Sequence, residues 1–251
     1  MAWRDWIRDG GEVEPSLYAA DFRRLGAQVD ALLDAGCRVF HFDCGDGHFV
    51  PPVTIGPVVL RSIAPGIHAS GGVLDCHLMV DDPVHHFEEF AASGADSVTF
   101  HVEVADDPAH HLEEFAASGA DSVTFHVEAA ADPAAVSGAA RAHGLSVGIS
   151  FNPGTTPQQA ADAADAAGAE IVLCMSIVPG YSGQDFMPEA LHRIAELATL
   201  VDVPIQVDGG IGEENAAVVR EAGASLLVAG SAVFADAEPA KAYRRLAAAA
   251  A

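Results

Sequence analysis

Short runs rich in Val, Ile, Leu and Phe alternate along the whole chain with alanine-rich amphipathic stretches. This alternation is typical of βα units that build a parallel sheet, because consecutive parallel strands need a crossover helix between them. Several helical stretches, such as residues 22–36, 87–94 and 216–223, end in Ala-Gly or Ser-Gly, and glycine is the usual residue at a left-handed helix cap. The pattern therefore favours an α/β fold of the TIM (β/α)8 barrel type over a doubly wound sheet. Nine strands are predicted, near residues 13–18, 38–43, 73–78, 97–102, 122–127, 146–151, 171–176, 204–208 and 225–229.

Nine strands are one more than such a barrel holds, and a tandem duplication accounts for the surplus. Residues 81–105 recur as residues 106–130, with differences only at Val84/Ala109, Phe87/Leu112 and Val104/Ala129. Two copies are too few for a solenoid. Because a ninth strand would demand another barrel diameter and register, we expect one copy to supply the fourth strand. The other copy is expected outside the barrel, looped out, packed on the exterior or used against a partner chain. Which copy enters the barrel stays open, since the strand sequences are identical.

Composition and charge narrow the classes of function. No Pro/Gly/Ser-rich linker or charge block divides the 251 residues, so we predict a single barrel domain over residues 1–251 with a short N-terminal extension, residues 1–12. A formal net charge of −24 repels polyanions, so no nucleic acid partner is expected. No apolar run of about 18 residues is free of charge, and the first residues do not form a secretory signal. We therefore expect no membrane span and a cytoplasmic location. The only lysine, Lys241, lies near the C-terminus, which argues against Schiff-base chemistry on a barrel strand.

Three of the predicted strands end in residues suited to metal binding and proton transfer: HFDCGDG, DCHLM and QVDGG. His41 and Asp43 are two residues apart, so both side chains face the barrel interior, and His77 and Met79 have the same relation. With Asp208 they form a set of imidazoles and carboxylates at the strand ends where barrel enzymes keep their catalysts. Such a set suits Zn²⁺, Fe²⁺, Mn²⁺ or Co²⁺. Each residue alone is better explained as a hydrogen-bonded core histidine or a turn-forming aspartate, but that explanation is poor for all four together.

Glycine-bearing loops after the late strands predict a phosphate site. They are PGYSGQDF (179–186), DGGIGEEN (208–215) and AGSAVF (229–234). With so few basic residues, a phosphate would be held by backbone N–H groups, as in many barrels. Any one of these loops is explained equally well as a tight βα turn, whereas three in succession are more specific.

Taken together, these motifs resemble those of the ribulose-phosphate 3-epimerase family. The likeness covers nearly everything except the first dozen residues and the duplicate. It runs through PSLYAADF (15–22), HFDCGDGHFVPPVTIGP (41–57), DCHLMVDDP (75–83), FNPGTTP (151–157), MSIVPGYSGQDF (175–186), VDGGI (207–211) and VAGSAVF (228–234). Members of that family are TIM barrels that interconvert D-ribulose 5-phosphate and D-xylulose 5-phosphate by inverting C3 with one divalent metal ion.

The resemblance implies roles for individual residues. His41, Asp43, His77 and Asp208 would be the metal ligands, with Zn²⁺ as the expected ion and Fe²⁺, Mn²⁺ or Co²⁺ as alternatives. Asp43 and Asp208 would also be the two catalytic residues, each moving the C3 proton on one face of the sugar through an ene-diolate. A small-molecule sugar phosphate is the expected partner, and a homo-oligomer is expected. The residues expected to bind the substrate are Ser16, His77, Met79, Met175, Gly180, Tyr181, Ser182, Gly183, Gly209, Gly210, Gly230 and Ser231.

Departures from the family pattern keep two alternatives open. Gly45 stands where the family usually has Met, and Ser182 stands where a second glycine is usual. Room at Gly45 would admit water or a bulkier ketose phosphate such as allulose 6-phosphate. A barrel distorted by the duplicate could instead bind phosphate ligands without turnover. The His101/Glu103 and His126/Glu128 pairs end the duplicated strands. One pair is expected to line the pocket behind the metal-binding residues, and the other to be exposed to solvent or to lie at an interface. Decarboxylases of the related phosphate-binding barrels need an Asp-x-Lys-x-x-Asp arrangement, which the single lysine excludes.

Overall fold

The computed structural model describes residues 3–8, 11–100, 108–117, 120–128, 132–178, 181 and 183–251. Strands and helices alternate through these ranges, and all nine predicted strands are found. The strands are β1 (Glu12–Pro15), β2 (Val39–Gly45), β3 (Val73–Met79), β4 (Ser97–Phe100), β5 (Ser122–His126), β6 (Ser146–Phe151), β7 (Ile171–Met175), β8 (Ile205–Asp208) and β9 (Leu226–Ala229). The helices are α1 (Trp3–Trp6), α2 (Leu25–Asp34), α3 (Pro57–Ala69), α4 (Phe87–Ala92), α5 (Pro108–Ala117), α6 (Pro133–Ala142), α7 (Pro157–Ala167), α8 (Glu189–Leu200), α9 (Ala216–Glu221), α10 (Ser231–Phe234) and α11 (Pro239–Ala249).

The strands form one parallel sheet that closes almost completely into a barrel. Their order is β1-β9-β8-β7-β6-β5-β4-β3-β2, and a parallel bridge between Ser16 and His41 joins the two edge strands. The barrel class predicted from the sequence is therefore confirmed. Glycine ends helices α2, α4 and α9 as expected, with positive φ at Gly36, Gly94 and Gly223. No helix within the described ranges has the length and apolar character needed to cross a membrane.

Both copies of the duplicated unit contribute a strand to the barrel. Strand β4 comes from the first copy and β5 from the second, and identical residues stand opposite each other, from Ser97↔Ser122 to Phe100↔Phe125. The prediction that one copy lies outside the barrel is wrong. The prediction treated the number of strands as fixed at eight. A strand whose sequence is identical to that of its neighbour can pair with it so that identical residues stand opposite each other. It then presents the same hydrogen-bonding edge to β6. The serines and threonines of both strands are at most 2% exposed, so the wider barrel still closes around them.

Side-chain alternation separates an inner from an outer layer. Phe42 of β2 packs edge-on against Phe90 of α4, at 6.3 Å between ring centroids, so it faces the helices. Its neighbours His41 and Asp43 consequently face the barrel interior. In the duplicated region, Phe87 of α4 contacts both Phe100 of β4 and Phe115 of α5. The outer layer is therefore apolar and continuous across both copies, whereas the inner layer is polar toward the carboxyl ends of the strands.

The amino-terminal segment closes the opposite end of the barrel. Trp3 and Trp6 of α1 are 1% and 5% exposed and pack with the first inward residues of four strands. These strand residues are Val39, Val73, Ile171 and Leu226. The side chain of Arg8 pairs with Glu12 and donates a hydrogen bond of 3.1 Å to the carbonyl of Gly36. Residues predicted only as an extension thus form a plug, here called the tryptophan plug (Trp3 and Trp6), under a nine-stranded barrel.

Substitution of Trp6 by alanine should lower the free energy of unfolding by about 3–5 kcal/mol, because it empties a buried indole site. Trp3 and Trp6 are the only tryptophans in the chain, so intrinsic tryptophan fluorescence reports on this plug alone. We expect blue-shifted emission in the folded protein and a lower urea midpoint for the variant. A matched control is Val58→Ala, since Val58 is 75% exposed and its truncation should change stability by less than about 0.5 kcal/mol. Equal midpoints for the two variants would show that the plug contributes nothing to stability.

Candidate active site

Four side chains meet at the carboxyl ends of β2, β3 and β8. His41 and Asp43 come from β2, His77 from β3 and Asp208 from β8, and one ligand atom of each lies within 4.8 Å of the others. His41 Nε2 is 3.2 Å from Asp43 Oδ1 and 3.8 Å from Asp208 Oδ2. His77 Nδ1 is 3.8 Å from the same two carboxylate oxygens. The structure therefore brings together all four residues that the sequence singled out as metal ligands.

The spacing of these donor atoms fits a shared divalent cation. Zinc ligands lie about 2.0–2.2 Å from the ion, which places neighbouring donor atoms at separations like those seen here. Nε2 of His41 is fully buried and makes no hydrogen bond of normal geometry to any described residue. Buried polar atoms in native proteins are nearly always satisfied, so such atoms call for a ligand. The donor set of two imidazoles and two carboxylates suits the borderline metals expected from the sequence.

Electrostatics keeps Asp43 ionised despite its burial. Burial raises the pKa of this carboxyl, but the neighbouring His41 and His77 and the hydroxyl of Ser16 outweigh burial and lower it to about 2. Burial also opposes a charge on His41. The carboxylate of Asp43, helped by Asp75, outweighs that effect and holds the pKa of His41 well above its ordinary value. A carboxylate that is ionised at neutral pH is ready to accept a proton or to bind a cation.

Hydroxyl groups fix the positions of the two aspartates. Ser16 Oγ donates a 2.5 Å hydrogen bond to Asp43 Oδ2, and Thr54 Oγ1 donates to the Asp43 carbonyl at 2.8 Å. On the other side, Ser176 Oγ contacts the carbonyls of Asp208 and Gly209 at 2.8 and 2.6 Å. Sequence reasoning missed Thr54 and Ser176. Ser176 follows Met175 inside one of the recognised motifs, which is the signal that could have found it.

A pocket above the four side chains contains most of the predicted substrate residues. The predicted residues that line it are Ser16, His77, Met79, Met175, Tyr181, Gly183, Gly209, Gly210, Gly230 and Ser231. Gly180 and Ser182 lie outside the described residues. Residues that sequence reasoning did not propose also line the pocket, namely Tyr18, Ile177, Gln184, Ile211 and Val228. None of the described lining residues is Arg or Lys, so an anionic group in the pocket would rely on backbone N–H groups.

Two glycines let the loop after β8 approach its neighbours closely. Gly209 and Gly210 have φ values of +112° and +65°, a conformation that residues with side chains rarely adopt. A Cβ atom at Gly209 would collide with Ile177, and one at Gly210 would collide with the backbone of Phe186. These contacts explain why the VDGGI motif carries two glycines directly after the Asp208 carboxylate.

Gly45 does not enlarge the pocket. A Cβ atom at this position would lie 2.8 Å from the carbonyl oxygen of Pro52 and 2.9 Å from a methyl of Val50. The loop after β2 therefore occupies the space, and Thr54 ties that loop to the strand through a 2.6 Å hydrogen bond from the Gly45 amide. The expectation that Gly45 leaves room for water or a bulkier substrate is wrong, because the absence of a side chain is compensated by the loop.

His126 stands behind His77 instead of lining the pocket. The two rings stack with centroids 5.8 Å apart and an angle of 18° between their planes. Ser150 Oγ lies 2.9 Å from His126 Nε2, and Glu128 Oε2 lies 3.5 Å from His126 Nδ1. Burial raises the pKa of Glu128, but His126 and Thr155 outweigh it and lower it to about 2. One of the two pairs was expected to line the pocket, but this pair is not among the lining residues and lies behind His77. His101 and Glu103 lie outside the described residues.

A second polar group lies one layer deeper, below His41. Glu14, Asp75 and Gln206 each precede a site residue by two positions, at Ser16, His77 and Asp208, and so share its inward face. Gln206 Nε2 donates to Glu14 at 2.9 Å and to Asp75 at 2.9 Å. Burial raises the pKa of Glu14 to about 7, and the charge of Asp75 adds to this effect. Sequence reasoning missed these residues, although the two-residue period could have located them.

Comparisons with known proteins yield relatives that match over most of the chain. A model of the ribulose-phosphate 3 epimerase family matches residues 12–114 and 104–234, two segments that overlap within the duplicated unit. The cytoplasmic isoform of ribulose-phosphate 3-epimerase from Oryza sativa subsp. japonica is 34% identical over 230 residues, which cover 91% of this chain and 89% of that protein. The ribulose-phosphate 3-epimerase of Bacillus subtilis (strain 168) is 33% identical over 241 residues, covering 94% and 97%. That of Escherichia coli (strain K12) is 33% identical over 228 residues, covering 88% of each chain.

Solved structures share the barrel at much lower sequence identity. A structure of KGPDC from Streptococcus mutans aligns with a TM-score of 0.63 and 12% identity, covering 96% of this chain and 97% of that one. The 3-hexulose-6-phosphate synthase from Salmonella typhimurium aligns with a TM-score of 0.61 and 14% identity, covering 95% and 97%. At these identities the likeness concerns the fold alone.

Proposed function

This chain belongs to the ribulose-phosphate 3-epimerase family, and from that premise we propose that it inverts C3 of D-ribulose 5-phosphate to give D-xylulose 5-phosphate. The observation that carries the proposal is the convergence of Asp43 and Asp208 on one pocket, from strands that are not neighbours in the barrel. Inversion needs one proton carrier on each face of the sugar carbon, and these two carboxylates supply such a pair.

The aspartates act as base and acid in turn. Asp43 or Asp208 removes the C3 proton from one face, and the other returns a proton to the opposite face. Because the pKa of Asp43 is about 2, this carboxyl is ionised at neutral pH and can accept the proton. Ser16 binds Oδ2 of Asp43 and leaves Oδ1 directed toward His41 and His77. The resulting ene-diolate is planar at C3, so it can be protonated from either face.

His41, Asp43, His77 and Asp208 would hold one divalent metal ion, with Zn²⁺ proposed and Fe²⁺, Mn²⁺ or Co²⁺ as alternatives. Their donor separations of 3.2–3.8 Å support this assignment. When bound, the ion supplies Lewis-acid stabilisation for the negative charge that develops on the C2 and C3 oxygens of the substrate.

The phosphate of the substrate would be bound by backbone amides of the glycine loops. Gly209, Gly210, Gly230 and Ser231 line the same pocket as the metal-binding side chains. Exposed N–H groups in such loops form anion-binding concavities, and the absence of Arg and Lys among the described lining residues leaves this role to the backbone. A sugar phosphate is accordingly the proposed small-molecule partner, while a homo-oligomer remains a prediction.

Two structural features suggested the alternatives considered from the sequence, and the geometry argues against each of these two features. A larger ketose phosphate was considered because Gly45 lacks a side chain, but the loop at Val50 and Pro52 occupies that space. A barrel without turnover was considered because the duplicate could distort the site. Strands β2 and β3 nevertheless pair over seven residues each, from Val39↔Val73 to Gly45↔Met79, so the strands that carry three of the four ligands are regular.

Hydrogen exchange at C3 tests the proposed reaction. Zinc-loaded protein incubated with D-ribulose 5-phosphate in D₂O should form xylulose 5-phosphate that carries deuterium at C3, as followed by NMR. Protein stripped with a chelator should lose this activity and regain it when Zn²⁺ is restored. Exchange with allulose 6-phosphate but not with ribulose 5-phosphate would contradict the substrate, and metal binding without any exchange would contradict the reaction.

A further inference from the structure

Nδ1 of His41 faces two buried carboxylates, and a single side-chain amide donates a hydrogen bond to each of them. His41 Nδ1 is 3.4 Å from Asp75 Oδ2 and 3.7 Å from Glu14 Oε2. Gln206 Nε2 donates hydrogen bonds to these same two oxygens, at 2.9 Å each. Glu14, Asp75 and His41 are at most 1% exposed. We call Glu14, Asp75 and Gln206 the lower carboxylate group.

Burying two carboxylates side by side is costly unless they bind something. A buried ionised group without a partner loses its hydration, and an apolar pair of similar volume would stabilise a barrel core better. Gln206 satisfies these two facing oxygens with only one hydrogen bond each. The remaining polar atom that both carboxylates face is Nδ1 of His41. The lower carboxylate group is therefore directed at the histidine.

The alternative that these residues hold a second cation fits the geometry less well. One ligand atom each of Glu14, His41 and Asp75 lies within 4.8 Å of the others, as a metal site requires. The oxygens that face His41 already accept hydrogen bonds from the Gln206 amide, whose N–H groups carry positive partial charge. Such a donor repels a cation and stabilises acceptors. The group is thus built to receive an N–H proton.

We propose that Glu14 is a positioning residue which, together with Asp75, keeps the proton of His41 on Nδ1 and so reserves Nε2 as the metal ligand. The proposal deepens the metal site described above and rests on the proposed function. Histidines that bind metals usually donate their second nitrogen to a carboxylate, which fixes the tautomer and the ring orientation. Here a second carboxylate, Glu14, shares that role with Asp75. Its loss would leave the ring less firmly oriented toward Asp43 and Asp208.

Metal affinity is the first measurement. Zinc binding by competition with a chromogenic chelator should be weaker by about 10- to 100-fold in Glu14→Gln than in the unmodified protein. The matched control is Glu12→Gln, which removes a carboxylate from the same face of β1, where it pairs with Arg8 instead of facing His41. This control should bind zinc like the unmodified protein. Equal affinities for the two variants would overturn the inference.

Histidine ¹⁵N NMR gives a test that needs no variant. In the zinc-loaded unmodified protein, His41 should show a protonated Nδ1 in a hydrogen bond and a metal-bound Nε2. A metal-bound Nδ1 would overturn the inference even if Glu14→Gln failed to fold. Suppose that the unmodified protein binds zinc and epimerises ribulose 5-phosphate, but that Glu14→Gln leaves the zinc affinity unchanged or that Nδ1 of His41 binds the metal. Either result refutes only this inference. A protein that binds no metal refutes the proposed function instead.

Discussion

Asp43→Asn should lower kcat/KM for D-ribulose 5-phosphate by about 100- to 10 000-fold, the usual contribution of a general acid or base. The amide has nearly the same shape as the carboxylate and can still accept the hydrogen bond from Ser16, so the pocket should be preserved. It cannot take the C3 proton. Asp208→Asn should cause a loss of the same order for the same reason, and steady-state kinetics on both epimers measures each effect.

The two variants should differ in the exchange reaction that survives. With one carboxylate left, the enzyme can still remove and return a proton on the face that this carboxylate serves. We therefore expect Asp43→Asn to exchange the C3 hydrogen of only one epimer in D₂O, and Asp208→Asn that of only the other. Asp162→Asn, on an exposed position of α7, is the matched control and should leave both activities unchanged. Metal content must be measured in each variant, because both aspartates are also proposed ligands. Normal inversion by either variant would contradict the two-base mechanism.

The cluster of His41, Asp43, His77 and Asp208 could be predicted from the sequence because it depends on the alternation of side chains along single strands. Residues two apart on a strand share a face, and the strand ends were recognisable from their apolar runs. That rule brought His41 and Asp43 together correctly, and it would also have found Glu14 and Asp75 had it been extended two residues toward the start of each strand. The pairing of these deeper residues with Gln206 depends on which strands face each other across the barrel, which no local pattern reveals.

Barrel closure could not be predicted from the sequence because it depends on long-range pairing. The nine strands were correctly located, yet their number in the sheet was judged by the usual size of the fold. Whether the second copy joins the sheet depends on the register of Ser97↔Ser122 and on what fills the wider interior. The free space expected at Gly45 was wrong for a related reason. Val50 and Pro52 fill that space only because the loop that carries them folds back against the strand.

Because identical residues of β4 and β5 stand opposite each other, either copy of the duplicated unit could take the place of both in the sheet. Ser97 stands opposite Asp75 of β3 on one side and Ser122 on the other, and Ser122 stands opposite Ser146 of β6. If either copy is removed, the remaining strand can pair with β3 and β6 in the registers that already exist. No other strand pair needs a new register, so β2, β3 and β8 keep their order and their neighbours in the sheet.

Deletion of residues 106–130 should therefore give a folded, active enzyme with an eight-stranded barrel. Its crystal structure would show the strand number, and the C3 exchange assay its activity. The reciprocal deletion of residues 81–105 is the matched control, because the two products differ at only three positions and should behave alike. An unfolded product in both cases would show that the ninth strand is required, in contradiction to the register argument.

Truncation of the tryptophan plug should cost less stability in the eight-stranded barrel than in the nine-stranded one. Barrel diameter falls with strand number, so Trp3 and Trp6 would be overpacked beneath eight strands, at a cost of about 1–3 kcal/mol. Trp6→Ala, which should destabilise the full-length chain, would then relieve strain in the chain that lacks residues 106–130 and cost far less there. Urea unfolding of the two single changes and the double change measures this coupling directly. Additive changes in the free energy of unfolding would mean that the packing of the plug does not depend on barrel width. Strong coupling would show that the two tryptophans fit the wider barrel that the duplication creates.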